Sequence, residues 1–146
     1  MAVLQKALFT IGGLAVLGGG GFFALGLLSQ GGSAPGLVDG RLAPCPETPN
    51  CVSSEDGTEE AKSVATLPLG AWDQLPDVIA SLGGTVTGTG EDYLAAEFKS
   101  SIFGFVDDVE FRRSVDGVHV RSASRVGYSD GGVNAQRVAS IRAAVN

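Results

Sequence analysis

The chain has 146 residues, room for one domain and a short extension, and 44% of them are hydrophobic. Its net charge is −6, and of the ten basic residues only Lys6 precedes Asp39, whereas all sixteen acidic residues stand at or after that position. An acidic domain without a basic cluster argues against nucleic acid as a partner and against docking on anionic lipid; one His and one Met leave little for metal chemistry.

From Ala7 to Leu28 there are 22 consecutive uncharged residues. As a helix they would extend about 33 Å, enough for a hydrocarbon core of about 30 Å. Lys6 lies just before the run, and Asp39 and Arg41 lie beyond it. The positive-inside rule then predicts a single-pass membrane protein: residues 1–28 the anchor, the N-terminus cytoplasmic, the rest on the periplasmic side. A cleaved signal peptide is the alternative, although its apolar region is usually shorter and the small-residue site here ends at Ala34, directly before Pro35. Gly12, Gly19 and Gly26 recur every seven residues, with Ala15 on the same face. Small residues in that pattern let a second helix approach closely, so this face is a candidate for packing against a membrane-protein partner.

Residues 29–41 are Gly-, Ser- and Pro-containing and read as a flexible linker to a domain over 42–146. Pro44, Pro46 and Pro49 forbid a regular helix around Cys45 and Cys51, the only two cysteines. Five residues separate them. A structural disulfide closing a small loop is expected, since redox pairs favour C-x-x-C and zinc wants four ligands. No metal or cofactor is expected. The acidic stretch of Glu55, Asp56, Glu59 and Glu60 reads as a solvated loop.

Between Pro68 and Leu82, the apolar residues Trp72, Leu75, Val78, Ile79 and Leu82 recur at helical spacing, and Pro76 marks a start or a kink. Four strands are predicted next, over Thr85–Thr89, Tyr93–Lys99, Asp107–Arg113 and Val118–Val126, with Asp116-Gly117 as a hairpin signal. Val133 to Val145 closes the chain as a helix with Asn134 as its N-cap and Val138, Ile141 and Val145 as its apolar stripe.

The predicted fold class is therefore α+β: an N-terminal transmembrane helix, then a small antiparallel sheet of about four strands with one helix before and one after it, packed on one face. The opposite face would present Glu97, Lys99, Glu110, Arg112, His119, Arg121 and Arg125. Two readings of it stay open, a solvated face laced with ion pairs worth little each, or a binding surface for an anionic or polar partner.

Gly127-Tyr128-Ser129-Asp130-Gly131 matches G-x-S-x-G and sits between a strand and a helix, as a nucleophile elbow would. The single His119 lies ten residues upstream on the preceding strand. An extended strand would hold the two up to about 30 Å apart. A glycine-rich turn with local caps is the reading adopted, and no catalytic residues are assigned.

Three segments carry a resemblance. They are Cys45-Pro46 with Pro49-Asn50-Cys51-Val52-Ser53-Ser54; Glu97-Phe98 with Ser100 and the run Phe103 to Arg112; and His119 through Asp130, followed by Val133-Asn134 and a helix with Arg137 and Arg142. Over about residues 42–145 the chain resembles the bacterial and plastid family known as domain of unknown function 1499. The resemblance implies a small protein, often with a signal or membrane segment, and brings no established activity. Its motifs single out Phe103, Gly104 and Phe105 as an apolar loop. They also single out Asp107, Asp108, Glu110, Arg112, Arg121, Arg125, Tyr128 and Asp130 as a charged candidate binding set at one sheet edge. The functional expectation is a non-enzymatic binding or accessory subunit of a membrane protein complex. The alternative is a small-ligand binder or enzyme that uses the Asp, Arg and Tyr residues of that set.

Overall fold

The computed structural model describes residues 20–145. The alternation of apolar and polar side chains after residue 84 produces four strands in a meander: β4 (Thr85–Thr89), β5 (Tyr93–Lys99), β6 (Val106–Ser114) and β7 (Gly117–Ser124). All neighbours are antiparallel, and a fifth strand, β3 (Cys51–Ser53), joins outside β7 to give the order β3-β7-β6-β5-β4. The expected four strands are therefore five. The missed one has three residues inside the proline-rich stretch, too short for any periodicity to announce it. Two further strands, β1 (Leu37–Val38) and β2 (Arg41–Leu42), pair only with each other. Asp39 and Gly40 join them with positive φ of 52° and 76°, the conformation of a two-residue primed turn.

The register Leu94↔Phe111↔Val120 lines up apolar side chains on one sheet face. On that face α2 (Leu75–Ser81) brings Leu75, Val78 and Ile79, and α3 (Val133–Ala144) brings Val138 and Ile141. Phe111, Ile79, Val109, Val118 and Ile141 are fully buried there, each worth about 1.5–3 kcal/mol in transfer from water. The helical pattern seen from Pro68 resolves into a 3₁₀ segment, Leu69–Gln74, followed by α2, whose first turn accommodates Pro76 because an amide there has no helical partner.

The N-cap expectation for Asn134 needs correction. Gly132 holds the cap position, and the Asp130 carboxylate accepts from the Gly132 and Asn134 amides at 3.0 and 2.8 Å. Asn134 is instead fully buried; its amide accepts from the Ser122 hydroxyl at 2.6 Å and donates to the Asn50 carbonyl at 3.1 Å.

The membrane expectation is corrected as well. Among the described residues no helix is long and apolar enough to cross a membrane. This overturns the transmembrane helix of the expected fold and the single-pass, periplasmic placement that rested on it. A charge-free run records what a chain could bury without recording against what. Here residues 20–29 form a helix, α1, whose inward residues Gly26 and Ser29 are buried against the chain's own domain. Phe22 and Phe23 stack on Phe103, with ring centroids 5.4 and 5.1 Å away. Gly26 meets the backbone of Phe103, so the small residue expected to admit a partner helix admits the 100–105 loop. Gly12, Ala15 and Gly19, like the rest of the apolar run before residue 20, lie outside the described residues.

Beyond α1 the chain crosses the polar side of the sheet. Leu42 and Ala43 are buried there, and Cys45 is bonded to Cys51 at the start of β3. Lys62, itself buried, donates to the Pro46 and Glu47 carbonyls at 2.6 and 3.1 Å and fastens the loop that this disulfide closes.

Candidate functional site

Period-two alternation places Asp108, Glu110 and Arg112 of β6 on the same face as Tyr93 and Glu97 of β5 and His119 and Arg121 of β7. This face is not solvated, as residues 29–44 lie across it. Glu110 has no exposed surface, and Asp108, His119 and Arg121 are all less than a tenth exposed. Burying charge is costly unless it is paired and hydrogen-bonded, and three clusters supply the pairing.

In the centre, Glu110 stands directly across the ladder from Arg121, which donates to it at 3.1 Å. Glu110 also accepts from the Tyr93 hydroxyl and the Gly36 amide, both at 2.8 Å. Burial and the Glu110 carboxylate push the Tyr93 phenol well above its ordinary range. Towards α1, Arg125 donates to both oxygens of Asp108, at 2.8 and 2.7 Å, to Glu97, and to the Ser29 carbonyl at 3.1 Å. The hydrogen bonds it donates to Asp108 raise the Arg125 guanidinium above its usual value, with the one to Glu97 adding to them.

At the other end Glu55 takes a two-pronged contact from Arg112, at 2.8 and 2.9 Å, and the Leu42 amide at 3.0 Å. Burial opposes the charge on Glu55. The Arg112 hydrogen bonds, the Leu42 amide and the nearby His119 outweigh it and hold the carboxyl below its ordinary range. Glu55 is thus a buried anchor, which corrects its reading as part of a solvated acidic loop. His119 Nδ1 lies 3.2 Å from the Ser54 carbonyl and 3.7 Å from Glu55.

The remaining candidates point elsewhere. Asp107 has the opposite parity on β6 and pairs with Arg137 of α3 at 2.7 Å; the Arg137 guanidinium sits 4.8 Å from the centre of the Phe98 ring. Asp130 caps α3. Burial raises its pKa, and the Asn134 and Gly132 amides more than reverse that, leaving it below the carboxylate range. Tyr128 is 73% exposed. The charged set therefore does not converge at one edge. Asp108, Glu110, Arg112, Arg121 and Arg125 share the covered face, while Asp107, Tyr128 and Asp130 meet at a second place.

That place is a groove of about 600 Å³ between α1 and the 126–133 turn. Phe22, Leu25, Phe105, Val126, Tyr128 and Val133 give it apolar walls, and Asp107, Ser124, Ser129 and Asp130 its polar ones. The Ser129 hydroxyl accepts from the Gly131 amide at 3.3 Å, a turn contact remote from the partners of His119. Among the described residues no three His, Cys, Asp or Glu side chains are grouped to hold a metal ion.

Sequence reasoning passed over Glu55, Tyr93, Ser29 and Arg137 as members of these networks. Alternation alone puts Tyr93 on the polar face, and its hydroxyl is the available sign of a hydrogen bond there. Nothing in the spacing brings Glu55 to Arg112 or Ser29 to Arg125.

No curated protein and no solved structure matches the chain. A family model described as "Protein of unknown function (DUF1499)" matches residues 41–145, all of the five-stranded sheet and both helices packed on it. The resemblance read from the three motifs is thereby confirmed, and this chain belongs to the DUF1499 family of proteins of unknown function.

Proposed function

We propose that the chain is a non-enzymatic binding domain, an accessory component that holds an apolar segment of a partner protein in the groove between α1 and the 126–133 turn. The observation that carries this reading is the clustering of exposed large apolar side chains at that groove. Phe22, Leu25, Tyr128 and Val133 line it and are each more than 40% exposed. Phe23, Leu27 and Leu28 on the same short helix are exposed too. Scattered apolar residues are ordinary on a surface, but a cluster around a concavity marks an interaction site. The charged groups support binding over catalysis, because Asp107, Asp108, Glu110 and Asp130 each already accept from a guanidinium or backbone amides.

Co-purification of the tagged full chain under non-denaturing conditions tests the reading. A stoichiometric partner is expected with the wild type and lost with the Tyr128→Glu/Val133→Glu double variant. A wild type that runs alone as a monomer overturns the accessory role, and a partner kept by the double variant overturns the groove as its site.

The groove's volume favours one second reading, a small-ligand site, since such sites commonly enclose about 300–1,000 Å³. Asp107, Tyr128 and Asp130 would supply its polar contacts, without Arg121 or Arg125, which lie on the covered face. A small molecule released on denaturation and seen by native mass spectrometry would select this reading.

A further inference from the structure

The segment that covers the polar sheet face is secured at its ends and loose between them. At one end Ser29 is buried, its hydroxyl accepting from the Val106 amide at 3.0 Å. At the other, Leu42 is buried and its amide reaches Glu55. From Gln30 to Arg41 no residue is buried. Among the described residues a single hydrogen bond ties residues 31–40 to the sheet, from the Gly36 amide to Glu110. Few buried contacts and one anchoring bond describe a segment that opens locally at little cost.

What lies beneath is the reverse: a fully buried carboxylate, two guanidiniums on buried side chains and a half-buried phenol. The Arg121 side chain is 9% exposed, and its Nε is a buried donor without a partner. A buried donor left unsatisfied costs about 1–3 kcal/mol. The covering segment therefore fits the face incompletely. Between its anchored ends it offers an amide N–H to Glu110 and no acceptor to Arg121 Nε. The face itself lies within the family region from residue 41 on, whereas residues 29–40 precede it.

We propose that the polar face of the β5-β6-β7 sheet is a binding site for a polypeptide segment, which residues 31–40 occupy in cis and from which a segment of a partner protein displaces them. The incoming segment places a backbone amide on Glu110 and a backbone carbonyl on the unused Nε of Arg121. Specificity comes from the main chain, because the face supplies donors and acceptors at fixed places and few apolar pockets. This site is separate from the groove and stands or falls without it.

The test uses the full chain. Gly36→Pro removes the amide that Glu110 accepts, and proline cannot adopt the φ of 78° found at residue 36, so the variant leaves the segment undocked. A fluorescent synthetic peptide of residues 29–43 is titrated against wild type and variant. The variant is expected to bind at least about tenfold more tightly than the wild type, whose own segment competes. A folded Gly36→Pro chain that ignores the peptide, or binds it no better than the wild type, overturns the proposal. Hydrogen exchange on the wild type decides the matter should the variant not fold. The Gly36 amide should exchange at least about a hundredfold faster than those of Val109 and Phe111. Equal protection would mean that the segment leaves only on global unfolding, and the proposal would fail.

Discussion

A β-carbon placed on Gly26 would stand 1.8 Å from the carbonyl oxygen of Phe103. No side-chain rotation can relieve that contact, since both parties are backbone. Gly26→Val should therefore lift α1 from the 100–105 loop while leaving the sheet and its two packed helices, which do not touch residue 26, in place. The expected cost is modest, about 1–2 kcal/mol in urea unfolding. Cleavage by a nonspecific protease within residues 20–35 should rise sharply, and partner binding in the groove should fall with it, because Phe22 and Leu25 form one of its walls. Protease resistance equal to the wild type would show that α1 docks without needing the glycine.

Glu110 and Arg121 face each other directly across β6 and β7 and are both buried. Glu110→Gln removes one charge and leaves the guanidinium uncompensated under the covering segment. A loss of roughly 3–5 kcal/mol is expected, and the apolar pair Glu110→Leu/Arg121→Met should restore much of it. The measurement is a double-mutant cycle by denaturant unfolding. A double variant as damaged as the single would show that Tyr93 and the Gly36 amide, not Arg121, set the cost.

Much of this architecture was readable from the sequence. Alternation from Tyr93 to Lys99 and from Val118 onward fixes which residues face the core, because the period of two leaves no freedom once one face is apolar. The same alternation put Glu110 and Arg121 on a common face. It could not say that the face was covered, since most of the cover comes from residues 29–41, whose composition is that of a tether. Nor does periodicity register contacts across long sequence distances. The Glu55–Arg112 pair and the Ser29–Arg125 contact belong to the tertiary fold alone. The apolar run before Ser29 misled for a related reason: hydropathy gives no destination, and Gly26 serves close packing on a loop as well as on a helix.

Asp130 is two residues ahead of the cap position of α3 and still satisfies the Gly132 and Asn134 amides. Asp130→Ala leaves both donors to water and removes a negative charge from a helix N-terminus, for a loss of about 1 kcal/mol. Asp130→Asn keeps an acceptor and should recover about half. Thermal unfolding followed by circular dichroism distinguishes them, and an alanine variant as stable as the wild type would contradict the cap.

The dependence of stability on pH should show two limbs with separate causes. The Glu55 carboxyl titrates lower in the folded chain than its ordinary 4.5. Its contribution is then complete above about pH 4.5 and is lost as pH falls through the folded value, because the unfolded chain takes up the proton first. Tyr93 runs the other way. Its phenol is raised above the ordinary 10.0 by burial and by Glu110, so the folded chain holds the proton longer. That contribution is complete below about pH 10 and is lost as pH rises further, when the unfolded chain releases its proton and the folded chain does not. Urea unfolding across the pH range should therefore give a plateau bounded by an acid limb that Glu55→Gln reduces, Asp130 supplying a further part of it, and an alkaline limb that Tyr93→Phe flattens. Each variant should leave the opposite limb unchanged, since Glu55 binds Arg112 and Leu42 while Tyr93 binds Glu110. If one substitution altered both limbs, the two clusters would be coupled through the sheet instead of standing as separate ion-paired units.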